Sequence, residues 1–172
     1  MISQLETLVL KGLIHNEDYT RKVLPYVKAE YFESACGRTY FSIASGHFTE
    51  YGSCPSRESL AIAIEGLEGI SEEEFRQIGE AFEFLNQPSE ECNLDFLVDS
   101  TEQWCKERAV YLALLEAISI HDGHDINKSR DSIPQLLTEA LGVCFDAHVG
   151  HNYLEDYLSR YDFYHVKENR IS

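Results

Sequence analysis

A short histidine–aspartate cluster is the part of this chain whose residue types come closest to metal chemistry. Residues 121–125 read His-Asp-Gly-His-Asp, which places two imidazoles and two carboxylates within five positions. These groups are common ligands of divalent metals in enzymes. A complete site would need further ligands from other helices, and no motif connects His15, His47 or Asp146 to the cluster.

Two interpretations of this cluster compete. The paired His-Asp dipeptides are similar to those of metal-dependent phosphohydrolases of the HD class, which would bind metal stoichiometrically. A solvent-exposed loop turning at Gly123 explains the same residues with no additional ligands. The loop interpretation is favoured, and elemental analysis of the protein would decide between the two.

Other patterns that carry chemistry do not occur. The five cysteines, at 36, 54, 92, 105 and 144, are odd in number and include no CxxC pair, which is typical of reduced thiols and not of a disulfide framework or a zinc site. The chain contains no GxxxxGK[ST], GxSxG or HExxH sequence. The sequence therefore predicts no catalytic residue, no metal site and no cofactor.

The charge of the chain is strongly negative and unevenly distributed. The formal net charge is −16, and residues 51–103 alone carry 13 acidic and 2 basic side chains, a net of −11. An acidic surface repels a phosphate backbone, so we expect single-stranded DNA to bind this chain weakly at most. No apolar run is long enough to span a membrane, and a soluble, cytoplasmic protein is expected.

The hydrophobic periodicity predicts an all-α fold. Helices are expected over 2–14, 16–27, 35–51, a short stretch after Ser56, a stretch opened by a Ser71–Glu74 capping box, 93–120, 133–143 and 152–166. We predict an N-terminal helical bundle (1–92), a long antiparallel helical hairpin for subunit pairing (93–145) and a linker region with an amphipathic helix (146–172).

The helix predicted at 93–120 is the longest, and it contains no Gly or Pro. An apolar row recurs at heptad spacing along it, with a second row beside it, so the helix either crosses a bundle or pairs with another chain. The candidate oligomer interface comprises Leu97, Trp104, Tyr111, Leu115 and Ile118. The apolar stripe of the last helix comprises Leu154, Tyr157, Leu158, Tyr161 and Tyr164.

Several segments, in order, resemble one protein family. They are PYVKAEYFES, FTEYGSCPSRESL, WCKERAVYLALLEAI and ALGVCFDAHVGHNYLEDYLSRYDFY. Together they are similar to the N-terminal domain of DnaB-type replicative DNA helicases, most closely to those of T-even-like bacteriophages. The similarity covers essentially the whole chain, and its specificity comes from the series because no single piece is a catalytic signature.

The resemblance implies a non-catalytic collar domain of a hexameric helicase in DNA replication. It implies hairpins that pair between subunits, giving a dimer or a hexamer built as a trimer of dimers, and a collar that docks primase and helicase loader. It also implies that the stripe at 154–161 docks on a neighbouring motor domain. ATP and Mg²⁺ are expected only for that motor domain, which should follow this chain, and the host cell cytoplasm is the expected location.

A different function class remains open on composition alone. The acidic middle of the chain is also typical of an acidic helical inhibitor or DNA mimic that binds a basic partner. Such a protein would need carboxylates spaced like phosphates on one face, and it would compete with DNA. A collar domain would instead form dimers or larger assemblies.

Overall fold

A computed structural model describes residues 2–145, and all regular structure in that range is helical. The helices are α1 (Gln4–His15), α2 (Glu17–Val23), α3 (Ala35–Tyr51), α4 (Arg57–Glu65), α5 (Glu72–Asn86), α6 (Leu94–His121) and α7 (Ile133–Leu141). Short 3₁₀ turns at Ala29–Tyr31 and Arg130–Ser132 precede α3 and α7. The all-α prediction is confirmed, while the predicted linker helix lies outside the described residues.

Polar side chains cap the N-termini of helices at the positions that the sequence predicts. Ser71 Oγ accepts a hydrogen bond from the Glu74 backbone N–H at 3.2 Å, and the Glu74 carboxylate accepts one from the Ser71 N–H at 2.9 Å. At the start of α6, the Asn93 side-chain oxygen accepts a hydrogen bond from the Phe96 backbone N–H at 3.1 Å. The first N–H groups of a helix have no partner within it, so these caps fix the starting points.

Helix α2 ends earlier than the periodicity predicts. The apolar pattern continues to residue 27, with Pro25 expected to end or kink the helix, and the helix ends at Val23. Pro25 has no backbone N–H to donate to the preceding turn, so the hydrogen-bond ladder stops there. The Val27 N–H closes the turn on the Val23 carbonyl at 3.1 Å.

The core of the bundle lies around α1. Val9, Leu10 and Leu13 are fully buried on this helix, which contacts α2, α3, α5 and α6. The close approach of α2 depends on Gly12, because a Cβ atom at that position would lie 2.4 Å from the Tyr19 ring. Burial of these apolar side chains is the main favourable term in the stability of the bundle.

The α6–α7 hairpin extends from this bundle. Helix α6 has 28 residues, a length of about 42 Å. The first half of α6 packs in the bundle, and α7 packs against the second half. Helix α6 therefore belongs to both the predicted bundle (1–92) and the predicted hairpin (93–145). An ion pair between Lys128 and Glu116 ties the connecting loop to α6. None of the described helices, α6 included, is both long and apolar enough to cross a membrane.

Candidate subunit-pairing surface

One face of α6 changes from buried to exposed along its length. The heptad row contains Leu97 and Trp104, which are 5% and 6% exposed, followed by Tyr111 and Ile118, which are 50% and 57% exposed. Residues seven apart lie on nearly the same side of an α-helix. The bundle therefore covers the first half of this face and leaves the second half open.

Aromatic packing covers the first half. The indole of Trp104 contacts the Phe32 ring, with centroids 5.0 Å apart, and the Tyr31 ring edge-on at 6.1 Å. Both partners are buried and belong to the segment between α2 and α3. Such edge-to-face geometry is favourable beyond simple burial of area. Trp104 is thus a core residue within a single chain.

A buried hydrogen bond also fixes the first half of α6. The Thr101 hydroxyl donates to the Leu97 carbonyl at 2.7 Å, which leaves its oxygen to accept from the Tyr19 hydroxyl, also at 2.7 Å. Burial raises the pKa of Tyr19 above its usual value. The phenol is therefore neutral at physiological pH and can act as the donor that joins α2 to α6.

The second half of α6 presents an apolar surface to solvent. We call it the open stripe: Tyr111, Leu114, Leu115 and Ile118, each 48–57% exposed. The buried Ala113 and Ala117 lie on a different side of the helix, where α7 packs. Helix α7 therefore cannot cover the open stripe. A contiguous exposed apolar patch on a projecting element is typical of a protein-interaction surface.

The structure divides the five predicted interface residues into two groups. Tyr111, Leu115 and Ile118 lie together on the open stripe, whereas the chain itself already buries Leu97 and Trp104. Pairing through these residues stays a prediction. Leu114 was missed, although its position three residues after Tyr111 and four before Ile118 places it on the same helical face. The predicted docking residues Leu154, Tyr157, Leu158 and Tyr161 lie outside the described residues.

Arg108 lies at the boundary between the two halves. Its Nε donates to the Tyr31 carbonyl at 2.6 Å, and another guanidinium nitrogen lies 3.2 Å from a Glu33 carboxylate oxygen. The same guanidinium stands 4.8 Å from the centroid of the Tyr111 ring. The Arg108 side chain is only 13% exposed. It thus contacts both the bundle and the first residue of the open stripe.

The histidine–aspartate cluster forms a loop, as the favoured interpretation predicts. Helix α6 ends at His121, Gly123 adopts a positive φ of 77°, and the Asp125 carboxylate accepts the Asn127 N–H at 3.1 Å. Within residues 2–145, no three His, Cys, Asp or Glu side chains are grouped so that they could hold a metal ion. The five cysteines are all free thiols, with Cys36 and Cys105 buried.

Within residues 2–145, the fold and this surface define an all-α domain whose projecting hairpin leaves one apolar face uncovered. The chain is 30% identical, over an alignment 172 positions long, to a DnaB-like replicative helicase of Enterobacteria phage T4. The alignment covers 95% of this chain and 36% of that helicase, so the chain spans about a third of its relative's length. No protein-family model matches the chain. The resemblance to DnaB-type replicative helicases is confirmed.

Proposed function

We propose that this chain is a non-catalytic collar domain of a hexameric replicative helicase, and that it pairs subunits through the open stripe of α6. The single observation that carries the proposal is the apolar face on the hairpin, which neither α7 nor the bundle covers. The similarity to a replicative helicase over about a third of that protein supports a domain-sized role in such an assembly. In this proposal ATP and Mg²⁺ bind to a motor domain and not to residues of this chain.

The composition of the open stripe suits contact with a second copy. Its members are apolar except for the hydroxyl of Tyr111, so two strongly acidic chains can meet there without placing carboxylates against each other. Apolar residues spaced three and four apart form a continuous seam along a helix. The same stripe on two copies, related by a two-fold axis, would make a self-complementary contact.

An isoleucine-to-glutamate substitution tests this pairing. We expect Ile118→Glu to convert a dimeric or larger species to monomer, because each contact would then bury two carboxylates in an apolar seam. Light scattering over a range of protein concentrations measures the change. Ile62→Glu is the matched control, since Ile62 is 71% exposed on α4, away from the hairpin.

Two results would contradict pairing through the open stripe. One is a wild-type chain that stays monomeric at high concentration. The other is an equal loss of assembly in Ile118→Glu and Ile62→Glu, which would mean that added negative charge alone opposes association.

For the docking of primase and helicase loader, the acidic face of α4 and α5 is the surface we favour. Exposed carboxylates lie there on Glu58, Glu65 and Glu72, and Ile62 lies between the first two on the α4 surface. Such a face would attract a basic segment of a partner and disfavour single-stranded DNA. Titration of each purified partner against Glu58→Gln/Glu65→Gln should show weaker binding, while Glu90→Gln/Glu91→Gln makes the same change in charge on the loop before α6.

The same face supports a second candidate function, an acidic inhibitor or DNA mimic. Both arginines of α4 and α5 are engaged: Arg57 pairs with Glu83 at 2.5 Å, and Arg76 pairs with Glu73 and Glu80. The other carboxylates of the face are exposed to solvent. A mimic would displace a labelled DNA duplex from a basic DNA-binding protein at near-equimolar concentration. A collar domain would leave the duplex bound.

A further inference from the structure

The segment 31–33, which begins at the last residue of the first 3₁₀ turn and lies before α3, is held by side chains from three different helices. The Tyr31 and Phe32 N–H groups close the turn on the Lys28 and Ala29 carbonyls, both at 3.1 Å. The Glu33 N–H and the three carbonyls of the segment bond to side chains instead. The Glu6 carboxylate of α1 accepts the Glu33 N–H at 2.7 Å. Arg38 of α3 donates to the Phe32 and Glu33 carbonyls at 2.8 and 3.0 Å. Arg108 of α6 donates to the remaining carbonyl, that of Tyr31, at 2.6 Å.

The two arginines differ in what else they contact. Arg38 is exposed on α3, and its two hydrogen bonds stay within this segment. Arg108 is largely buried and also places its guanidinium over the Tyr111 ring. Hydrogen bonds hold this cation in place over the face of the tyrosine ring. The cation therefore attracts the ring and also restricts its orientation. Of these two arginines, Arg108 is therefore the one that connects the bundle to the open stripe.

We propose that Arg108 is a positioning residue for subunit pairing: it fixes the second half of α6 and the Tyr111 ring in the orientation that a second copy meets. The inference rests on the proposed function, because it concerns the same surface. Arg108 acts through Tyr111 and through the path of α6, and it need not touch the partner. Its forked, planar guanidinium serves two hydrogen-bond acceptors and the Tyr111 ring at once, which a lysine ammonium on a flexible stem cannot do in the same geometry.

The test compares Arg108→Met with Arg38→Met in the full chain. Each change keeps an apolar stem and removes arginine hydrogen bonds to the same segment. We expect Arg108→Met to weaken self-association about tenfold, measured by analytical ultracentrifugation. Arg38→Met should leave association within about twofold while lowering the thermal midpoint. A parallel loss of association in both variants, or none in Arg108→Met, would overturn the assignment.

A double-variant cycle separates positioning from general destabilisation. If Arg108 acts through Tyr111, the loss caused by Arg108→Met should shrink in a Tyr111→Leu background, since the ring is then absent. Equal losses in both backgrounds would show that the two residues act independently, which contradicts the proposal. Arg108→Lys should recover only part of the association, because it keeps the charge but loses the fork.

Amide hydrogen exchange keeps this proposal distinguishable from the pairing proposal itself. If wild-type protein proves monomeric, pairing fails, and exchange along residues 109–120 then decides the role of Arg108 alone. Faster exchange there in Arg108→Met than in Arg38→Met supports a residue that fixes the second half of α6. Indistinguishable exchange in the two variants would reject the positioning role as well.

Discussion

The two halves of α6 carry the same sequence pattern and lie in different environments. In the first half, Leu97 and Trp104 are buried among side chains of α1, α2 and the segment before α3. In the second half, Tyr111 and Ile118 continue the same row and are half exposed. A heptad row therefore specifies which face of a helix is apolar, but not what covers that face. What covers it depends on how far the neighbouring elements extend along the helix.

The largest expected effect comes from the covered half. Trp104→Ala should lower the free energy of unfolding by about 3–5 kcal/mol, because it removes a buried indole and leaves a cavity against Phe32 and Tyr31. Urea or guanidinium denaturation measures the loss. A change below about 1 kcal/mol would show that the bundle does not depend on the covered half of α6.

Alkaline pH should also weaken the covered half. Burial, followed by the nearby Cys105 and Glu30, raises the pKa of Tyr31 from 10.0 to about 12. The folded state therefore holds the phenol proton more tightly than the unfolded chain does. The stability this provides is complete below about pH 10 and is lost as the pH rises from 10 through 12, up to about 2–3 kcal/mol.

Denaturant titrations at pH 8, 10 and 11.5 measure this loss. Tyr31→Phe has no phenol to ionise, so the free energy of unfolding of this variant should decline less steeply above pH 10. Identical pH profiles for the two proteins would mean that ionisation of Tyr31 does not contribute.

Sequence reasoning recovered most of the fold because local signals are explicit in this chain. Capping residues and uninterrupted periodicity placed the starts of α3, α5, α6 and α7 correctly. The segment that covers Trp104 was not recognised, because Tyr31 and Phe32 lie in a short irregular stretch without periodicity. Side chains of Arg38, a few residues away, and of Glu6 and Arg108, which are distant in sequence, bond to its peptide groups. Only the tertiary structure reveals these contacts.

Helical periodicity identified three of the four residues of the open stripe, and pairing through them stays a prediction. Helical periodicity placed Tyr111, Leu115 and Ile118 on one face correctly. The same periodicity also predicted Leu97 and Trp104 as interface residues, because nothing in the sequence of α6 marks where the bundle ends. The boundary residue is Arg108, and an arginine in a helical sequence is ordinarily interpreted as a surface residue. It becomes distinctive only through its contacts with Tyr31 and Glu33.

A smaller effect is expected from the buried hydroxyl in the covered half. Thr101→Val should cost about 1–3 kcal/mol, because the Tyr19 hydroxyl loses its acceptor in a dry environment. Thr138→Val is the matched control in α7, where the threonine makes a similar bond to the Pro134 carbonyl at 2.7 Å but is exposed. Thermal denaturation of both variants measures the difference. Equal losses would imply that the intrahelical bond, and not the contact between α2 and α6, is what Thr101 provides.

The smallest effect on the folded monomer is expected from the open half. Tyr111→Ala should change the free energy of unfolding by less than about 1 kcal/mol. The ring is half exposed in the folded chain, so its removal takes away little buried apolar area. Measured in dilute solution, this value should be several times smaller than that of Trp104→Ala, although the two positions are one heptad apart. At concentrations where wild-type protein pairs, the same variant should lose association. A large destabilisation of the dilute monomer would instead make Tyr111 part of the bundle core, and the two halves of α6 would then form one continuous structural element.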